Sequence, residues 1–410
     1  VTKRVVVTAA EGLCPLGNTW EEVRENLLNR VSKIRRQEGW DEISDLKTRL
    51  GASVEGFERP AHYTRKKTRT MGRTSLLATR ATELALQAAG LLNELVVENG
   101  VTGIAYGSTS GSPPAIETYA RKVGLEKTLS GISGAEYIKS MSHTVAANVA
   151  QFFGVKGRLI PTCSACTSGS QGIGLAYESI KFGRQEVMIA GGSEELHVMA
   201  AAVFDIMFAT STRNDTPESV PRPFDRDRDG LVVGEGAATL ILESLEHATG
   251  RGATILAEVV GFATSCDGDH MVNPSTDGMK RVQEAALADA GLTADAIDYV
   301  NAHGTATEVG DIAESQATAS VFGRPVPITS LKSYMGHTLG ACGAIEAWLG
   351  IRMMNEDWIA PTINLDVVNP RCGPLDYIRE IREQNTQCFM SNNFAFGGVN
   401  TSLIFKRWPA

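Results

Sequence analysis

The chain has 410 residues, 43% of them hydrophobic, and a formal net charge of −8 at pH 7. That length buries an ample core in two or three domains, and an acidic balance without a long basic block excludes nucleic acid as the main partner. No apolar run approaches the roughly 20 residues that span a bilayer, and seven scattered cysteines read as reduced thiols of a cytoplasmic protein rather than a disulfide framework.

In chain order, VVVTAAEG (5–12) is too short for a signal-peptide core and reads as a first strand. Residues 18–75 are charged and weakly periodic, which predicts an insertion or cap. A helix follows over 73–92, RTSLLATRATELALQAAGLL. Then come GIAYGSTSG (103–111), LIPTCSACTSG (159–169), a helical pattern over 168–182, VMIAGGSEE (187–195) and AATLILES (237–244). SLEHATGRGAT (244–254) is the best boundary, dividing the chain into 1–250 and 251–410. Beyond it lie AEVVGFATSC (257–266), a helix over 279–291, IDYVNAHGTAT (297–307) and PITSLKSYMGH (327–337). A helix over 340–354, CFMSNNFAFGG (388–398) and NTSLIFK (400–406) complete the set.

Slot for slot, the second series repeats the first, so an internal duplication is expected. Strands alternating with helices predict an α/β protein with mainly parallel sheets covered on both faces. The last two strands of each half, joined by little or no helix, are expected to be antiparallel.

In such a fold the loops at the carboxyl ends of parallel strands gather on one side. Cys166 lies in the third-slot loop of the first half, His303 in the second-slot loop of the second, and His337 in the third-slot loop of the second. A thiolate is the nucleophilic form of cysteine, and a helix N-terminus of the kind that follows Cys166 lowers a thiol pKa. It would accept an acyl group as a thioester. Two neutral imidazoles would hydrogen-bond to a carbonyl oxygen that gains negative charge. Backbone N–H groups at Cys166 and in the glycine-rich 396–398 turn would form an oxyanion hole. Each residue also has a plainer reading: a cysteine between strand and helix is often a buried small hydrophobe, and HG is often a loop. CSAC as a redox pair lacks a thioredoxin-sized unit around it, a zinc site lacks a second CxxC or CxxH, and GSQGIG lacks the order of a dinucleotide-binding loop.

SACTSG, GGSEE, STRND, RPFDRDRDG, GEGAA, NAHGTAT, SLKSYMGHTLGACGAIE, PTINL and NNFAFGGVN occur in one order across the chain. In this the sequence resembles the β-ketoacyl-acyl carrier protein synthases, closest to the type II condensing enzymes. The resemblance implies the thiolase fold, two pseudo-symmetric α/β halves in a five-layered αβαβα body, and a homodimer. It implies a Cys166–His303–His337 triad: the cysteine carries the acyl chain, and the histidines promote malonyl decarboxylation and stabilise the enolate. Lys332 matches a lysine held near the second histidine, with Glu314 in its polar support. Thr305 and Thr307 match threonines that bind the phosphopantetheine arm, and Phe396 matches an aromatic gate whose backbone joins that of Cys166 in the oxyanion hole. Asn301, Ala302, Glu346, Ser391 and Asn392 occupy places of a monovalent cation site (K+ or Na+), against the reading of an ordinary buried polar cluster. No organic cofactor is implied, because pantetheine arrives on the acyl carrier protein. Cys163 is expected to be a buried bystander.

The sequence also departs from the housekeeping members. Phe208 stands where an arginine is typical, Glu308 where proline is common, and GLEKTLSG (124–131) lacks a basic pair, although RKKTR (65–69) keeps some charge. Ile116, in a proline-rich loop, falls where an acyl-pocket residue is expected at the dimer contact. These departures predict a dedicated carrier protein and an altered pocket, as in a polyene or polyketide-like pathway. A thiolase would need a second cysteine near the C-terminal motif, and a Cys-His-Asn enzyme an asparagine at His337. A non-catalytic chain-length-factor-like subunit would lack the nucleophile.

Overall fold

Strand β1 (Val5–Leu13) is buried along almost its whole length, as a strand covered on both faces must be, and its run of apolar and small residues follows from that. Ten further strands join it in the computed structural model, which describes residues 2–409. In the first half these are β2 (Thr102–Gly107), β3 (Leu159–Thr162), β4 (Val187–Glu194) and β5 (Gly236–Ser244). In the second they are β6 (Ala257–Cys266), β7 (Tyr299–Asn301), β8 (Pro327–Thr329), the short β9 (Asp376–Tyr377), β10 (Cys388–Ala395) and β11 (Val399–Arg407).

The strand order is β9-β8-β7-β10-β11-β6-β1-β5-β4-β2-β3. Outward from the middle, one half runs β1-β5-β4-β2-β3 and the other β6-β11-β10-β7-β8. The duplication read from the sequence is therefore a repeated topology. The halves meet where Val5–Val7 of β1 pairs antiparallel with Ala257–Val259 of β6.

Within this sheet, parallel pairing runs through β4-β2-β3 and β10-β7-β8-β9. β5 runs antiparallel to both β1 and β4, and β11 antiparallel to both β6 and β10. The expected antiparallel final pair is present, but the sheet is mixed rather than mainly parallel, because the last strand inserts beside the first. Nor is the β4–β5 connection helix-free: residues 195–235 include the helix Val198–Ile206.

Helices α1 (Arg73–Ala88) and α2 (Thr144–Phe153) cover one outer face, and α4 (Thr276–Ala290) and α5 (Glu308–Phe322) the other. Helices α3 (Ser168–Lys181) and α6 (Cys342–Asn355) lie between the half-sheets, giving the five layers αβαβα. Small residues let these two helices approach. A Cβ on Gly343 would lie 2.9 Å from the Ser170 backbone nitrogen, and one on Gly169 would lie 3.0 Å from the Ala344 backbone nitrogen. GSQGIG is thus a packing surface.

Residues 18–75 form no separate body. Their strands Arg35–Arg36 and Leu50–Ala52 make a small sheet with Val233–Gly234. Ile34, Leu50 and Ala52 share a buried cluster with Val220 and Val232. The Asp205 carboxylate accepts the N–H groups of Lys47 and Thr48, each at 3.0 Å. The cap therefore clamps the 195–235 connection, which forms one wall of the cavity described next.

Candidate active site

The two central helices start in the same way. Ala165 and Leu339 are non-glycine residues in the left-handed region, each at φ +48°, a conformation that costs roughly 1–2 kcal/mol. Each opens a tight turn, Ala165–Thr167 or Leu339–Ala341, that runs into α3 or α6. Side chains brace the first elbow: Ser168 Oγ donates to Ala165 O at 2.7 Å, and Thr162 Oγ1 donates to Ser168 O at 2.8 Å. Cys166 sits in this elbow, 6% exposed.

His337 stands two residues before the second elbow. Its N–H donates to Val232 O at 2.7 Å and its carbonyl accepts from Gly234 N at 2.8 Å, so its backbone is fixed from both sides. Its Nε2 lies 3.0 Å from Cys166 Sγ. The Leu339 N–H donates to its Nδ1 at 3.3 Å, so the proton of the neutral ring rests on Nε2 and faces the sulfur.

His303 follows β7. Both oxygens of Glu314 hold its turn, accepting the N–H groups of His303 and Gly304 at 2.7 Å each. Asn393 Nδ2, which donates to Glu346 Oε2 at 2.8 Å, also lies 3.5 Å from His303 Nδ1. The two rings are perpendicular with centroids 5.0 Å apart. One donor atom from each of Cys166, His303 and His337 lies within 4.8 Å of the others. That cluster would suit a soft metal, but a metal needs an Nε2 lone pair, and the Leu339 N–H holds the His337 lone pair on Nδ1.

Burial pushes both histidines well below the ordinary 6.5, and the nearby Lys332 charge adds to the shift, so both are neutral at pH 7. Burial also pushes the Cys166 thiol up to about 12, overriding Lys332 and the local N–H. The shift runs opposite to the lowered thiol pKa expected from a helix N-terminus, because burial of the sulfur is its largest cause.

Lys332 is paired with Glu346 of α6, both fully buried. Burial opposes the lysine's charge, but Glu346 outweighs it and holds the pKa above 10.5. Glu314 is therefore not the direct partner of Lys332; it builds the His303 turn. Burial lifts its carboxyl to about 8 against those two N–H donors.

A cavity of about 380 Å³ reaches Cys166, His303 and His337. Thr305, Thr307 and Phe396 line it, the two threonine hydroxyls lying 3.0 Å apart. Phe396 packs against Phe204 with ring centroids 5.3 Å apart and planes tilted by 38°, and precedes Gly397 and Gly398 at φ +87° and +68°. Ile116 is half-buried on the helix Pro113–Ala120 and lies outside this lining. Sequence reasoning missed Phe204, Met207 and Phe394, which also line it. Phe394 was within reach, since it sits two residues before Phe396 along the chain from β10. Phe204 and Met207 come from the 195–235 connection and carried no signal.

Cys163 is exposed, its Sγ set against Thr109 O at 3.2 Å, and all seven thiols are free. The expectation that it is buried was wrong, because it sits ahead of the turn that carries Cys166 inward. At the candidate cation site, Asn301 Oδ1 and both polar side-chain atoms of Asn392 are buried without partners. Asn301 and Ser391 pair across β7 and β10, next to Ala302. The orphaned Asn301 oxygen fits a monovalent cation, but the Asn392 side chain follows Ser391 on the strand and so points to the opposite face, and Glu346 is already engaged by Lys332 and Asn393.

Two duplicated α/β halves, with a cysteine and two neutral histidines gathered at facing loops, define a condensing enzyme of the thiolase fold. The chain belongs to the β-ketoacyl synthase family, matching the β-ketoacyl synthase N-terminal domain over residues 2–248 and the C-terminal domain over residues 256–366. It is 39% identical to 3-oxoacyl-[acyl-carrier-protein] synthase 2 of Vibrio cholerae, over 99% of each chain. A β-ketoacyl synthase crystal structure from Burkholderia phymatum superposes with a TM-score of 0.98 at 54% identity, covering 99% of this chain and 100% of that one. A ketosynthase solved in complex with a type II PKS acyl-carrier protein superposes with a TM-score of 0.90 at 29% identity over the whole of both chains.

Proposed function

We propose that this chain is a 3-oxoacyl-[acyl-carrier-protein] synthase of fatty acid biosynthesis that lengthens an acyl chain held on Cys166. One observation carries the residue roles: Cys166 Sγ lies 3.0 Å from His337 Nε2 in a cavity that His303 also lines, with one donor atom of each of the three residues within 4.8 Å of the others. In the first step Cys166 Sγ attacks the acyl thioester. The S–H proton leaves with the pantetheine thiol, and the acyl group stays on sulfur. The N–H groups of Cys166 and Phe396 are assigned to the oxyanion of that step. In the second, malonyl thioester loses carbon dioxide, and the electron pair passes into an enolate whose oxygen accepts from Nε2–H of His303 and His337. The enolate carbon then attacks the Cys166 thioester, and the sulfur departs as the thiolate and is reprotonated. Burial keeps the histidines neutral, and the positive charge that Lys332 holds behind them adds to this.

Acyl carrier protein is the proposed donor in both steps, with Thr305 and Thr307 as contacts for its pantetheine arm. No organic cofactor takes part. A K+ or Na+ ion would rest on Asn301 Oδ1, on the face it shares with Ser391, and supply fixed charge beside the site. β3, the outermost strand of the first half, has an unpaired edge, and Leu159 on it is 43% exposed. An edge of that kind invites pairing with a second copy, which supports a homodimer. Phe208 is 77% exposed, with the Lys47 ammonium 4.0 Å over its ring. An aromatic surface in place of a free arginine supports a dedicated carrier protein and a specialised product.

Intact-mass measurement tests the reading. Reduced protein is mixed with acyl-carrier proteins of several chain lengths and no malonyl donor. An acyl adduct on Cys166 is expected, fastest with the dedicated carrier. Absence of any adduct would remove the condensing role, and equal loading from a housekeeping carrier would remove the dedicated one.

A further inference from the structure

Glu194 ends β4, and the reaction above makes no use of it. Its side chain is 1% exposed and lies between loops of the two halves. A single oxygen, Oε2, accepts Thr109 N–H at 3.0 Å, Thr109 Oγ1–H at 2.7 Å and Gly340 N–H at 3.1 Å. Nothing larger than glycine fits at 340, where a Cβ would lie 2.8 Å from that oxygen and 2.7 Å from Thr109 N. Burial pushes the carboxyl up to about 7 even with these donors, so the fold maintains a costly group at this point.

The duplication shows what the group is doing. Ala165 and Leu339 occupy matching left-handed positions, so the Gly340 N–H is the counterpart of the Cys166 N–H. In the first elbow that N–H is the donor assigned to the reaction's oxyanion. In the second, the matching N–H is filled by a carboxylate of the chain itself. The residue before Gly340 is Leu339, whose own N–H sets the tautomer of His337.

We propose that Glu194 is a positioning residue: by holding the Gly340 N–H it locks the Leu339 elbow, and through it the Nε2–H tautomer of His337 and its aim at Cys166. The inference rests on the reading of His337 as an Nε2–H donor to the enolate. It makes decarboxylation and condensation, rather than acyl loading, depend on Glu194.

The test uses the full-length protein with Glu194→Ala and Glu194→Gln, the second keeping an oxygen acceptor. Three readouts are taken: acyl loading by intact mass, condensation kinetics, and the ring-nitrogen NMR signals of isotope-labelled histidine. Glu194→Gln is expected to keep the His337 tautomer and a condensation rate within about threefold of the parent. Glu194→Ala is expected to load acyl groups normally and to lose kcat for condensation by about a hundredfold with KM little changed. Its His337 signals should move to a mixture of tautomers. Should Glu194→Ala fail to fold, Glu194→Asp, which withdraws the acceptor by one methylene, must show the same split. An alanine variant with parental condensation, or one that loses loading and condensation equally with unmoved histidine signals, overturns the proposal. Parent protein that loads no acyl group counts against the condensing role instead, and the histidine spectra still decide the role of Glu194.

Discussion

Cys166 is a buried thiol whose anion is disfavoured, and its reactivity should show it. With the pKa pushed up to about 12, the thiolate fraction rises about tenfold per pH unit through the alkaline range. Alkylation of Cys166 by iodoacetamide should therefore climb without a plateau from about pH 7 to about pH 9, followed by peptide mapping. A plateau near neutrality would mean a preformed thiolate. The histidines make the opposite prediction. Both are neutral, with pKa values driven well below 6.5, so decarboxylation of malonyl thioester should be flat between about pH 6 and pH 8. His303→Ala removes one enolate donor and should lower that decarboxylation by about 10²–10³-fold while leaving acyl loading on Cys166 intact. Equal loss of both activities would deny His303 a role confined to the second step.

At the scale of elements, the site depends on two helices crossing at small residues between the half-sheets. Gly343 of α6 faces Ser170 of α3, and a Cβ there would also come within 2.5 Å of Asn393 Oδ1. Because the contact includes backbone, it cannot be relieved by a rotamer change alone. Gly343→Ala should lower stability by about 1–3 kcal/mol, read as a shift in the denaturant midpoint. It should also weaken condensation, since Asn393 contacts His303 and Glu346. An unchanged midpoint would show that the helices can part without cost.

For the whole molecule, β3 stands at the outer edge of an eleven-stranded sheet. Charge on an edge strand blocks strand pairing. Leu159→Lys should convert a dimer to monomer in sedimentation, with the fold unchanged by circular dichroism. A monomeric parent, or a variant that remains dimeric, would move the proposed interface elsewhere. Among the described residues, no helix is long and apolar enough to cross a membrane.

The sequence by itself determined the duplication, the strand–helix alternation, and the loops that carry Cys166, His303 and His337. Those features are legible because periodicity and strand-end loops are local, and the repeat doubles the signal. Ordered motifs over the full chain carried the family. Only the tertiary structure decided that β5 and β11 insert beside the first strand of each half, since strand order is set by long-range packing. It alone exchanged the expected roles of Glu314 and Glu346: residue types and spacing do not say which carboxylate meets Lys332. It reversed the expected shift of the Cys166 pKa, because desolvation depends on everything packed around the sulfur. It also brought the Glu194 carboxylate to the elbow beside His337, a contact between residues 146 positions apart that no local pattern records.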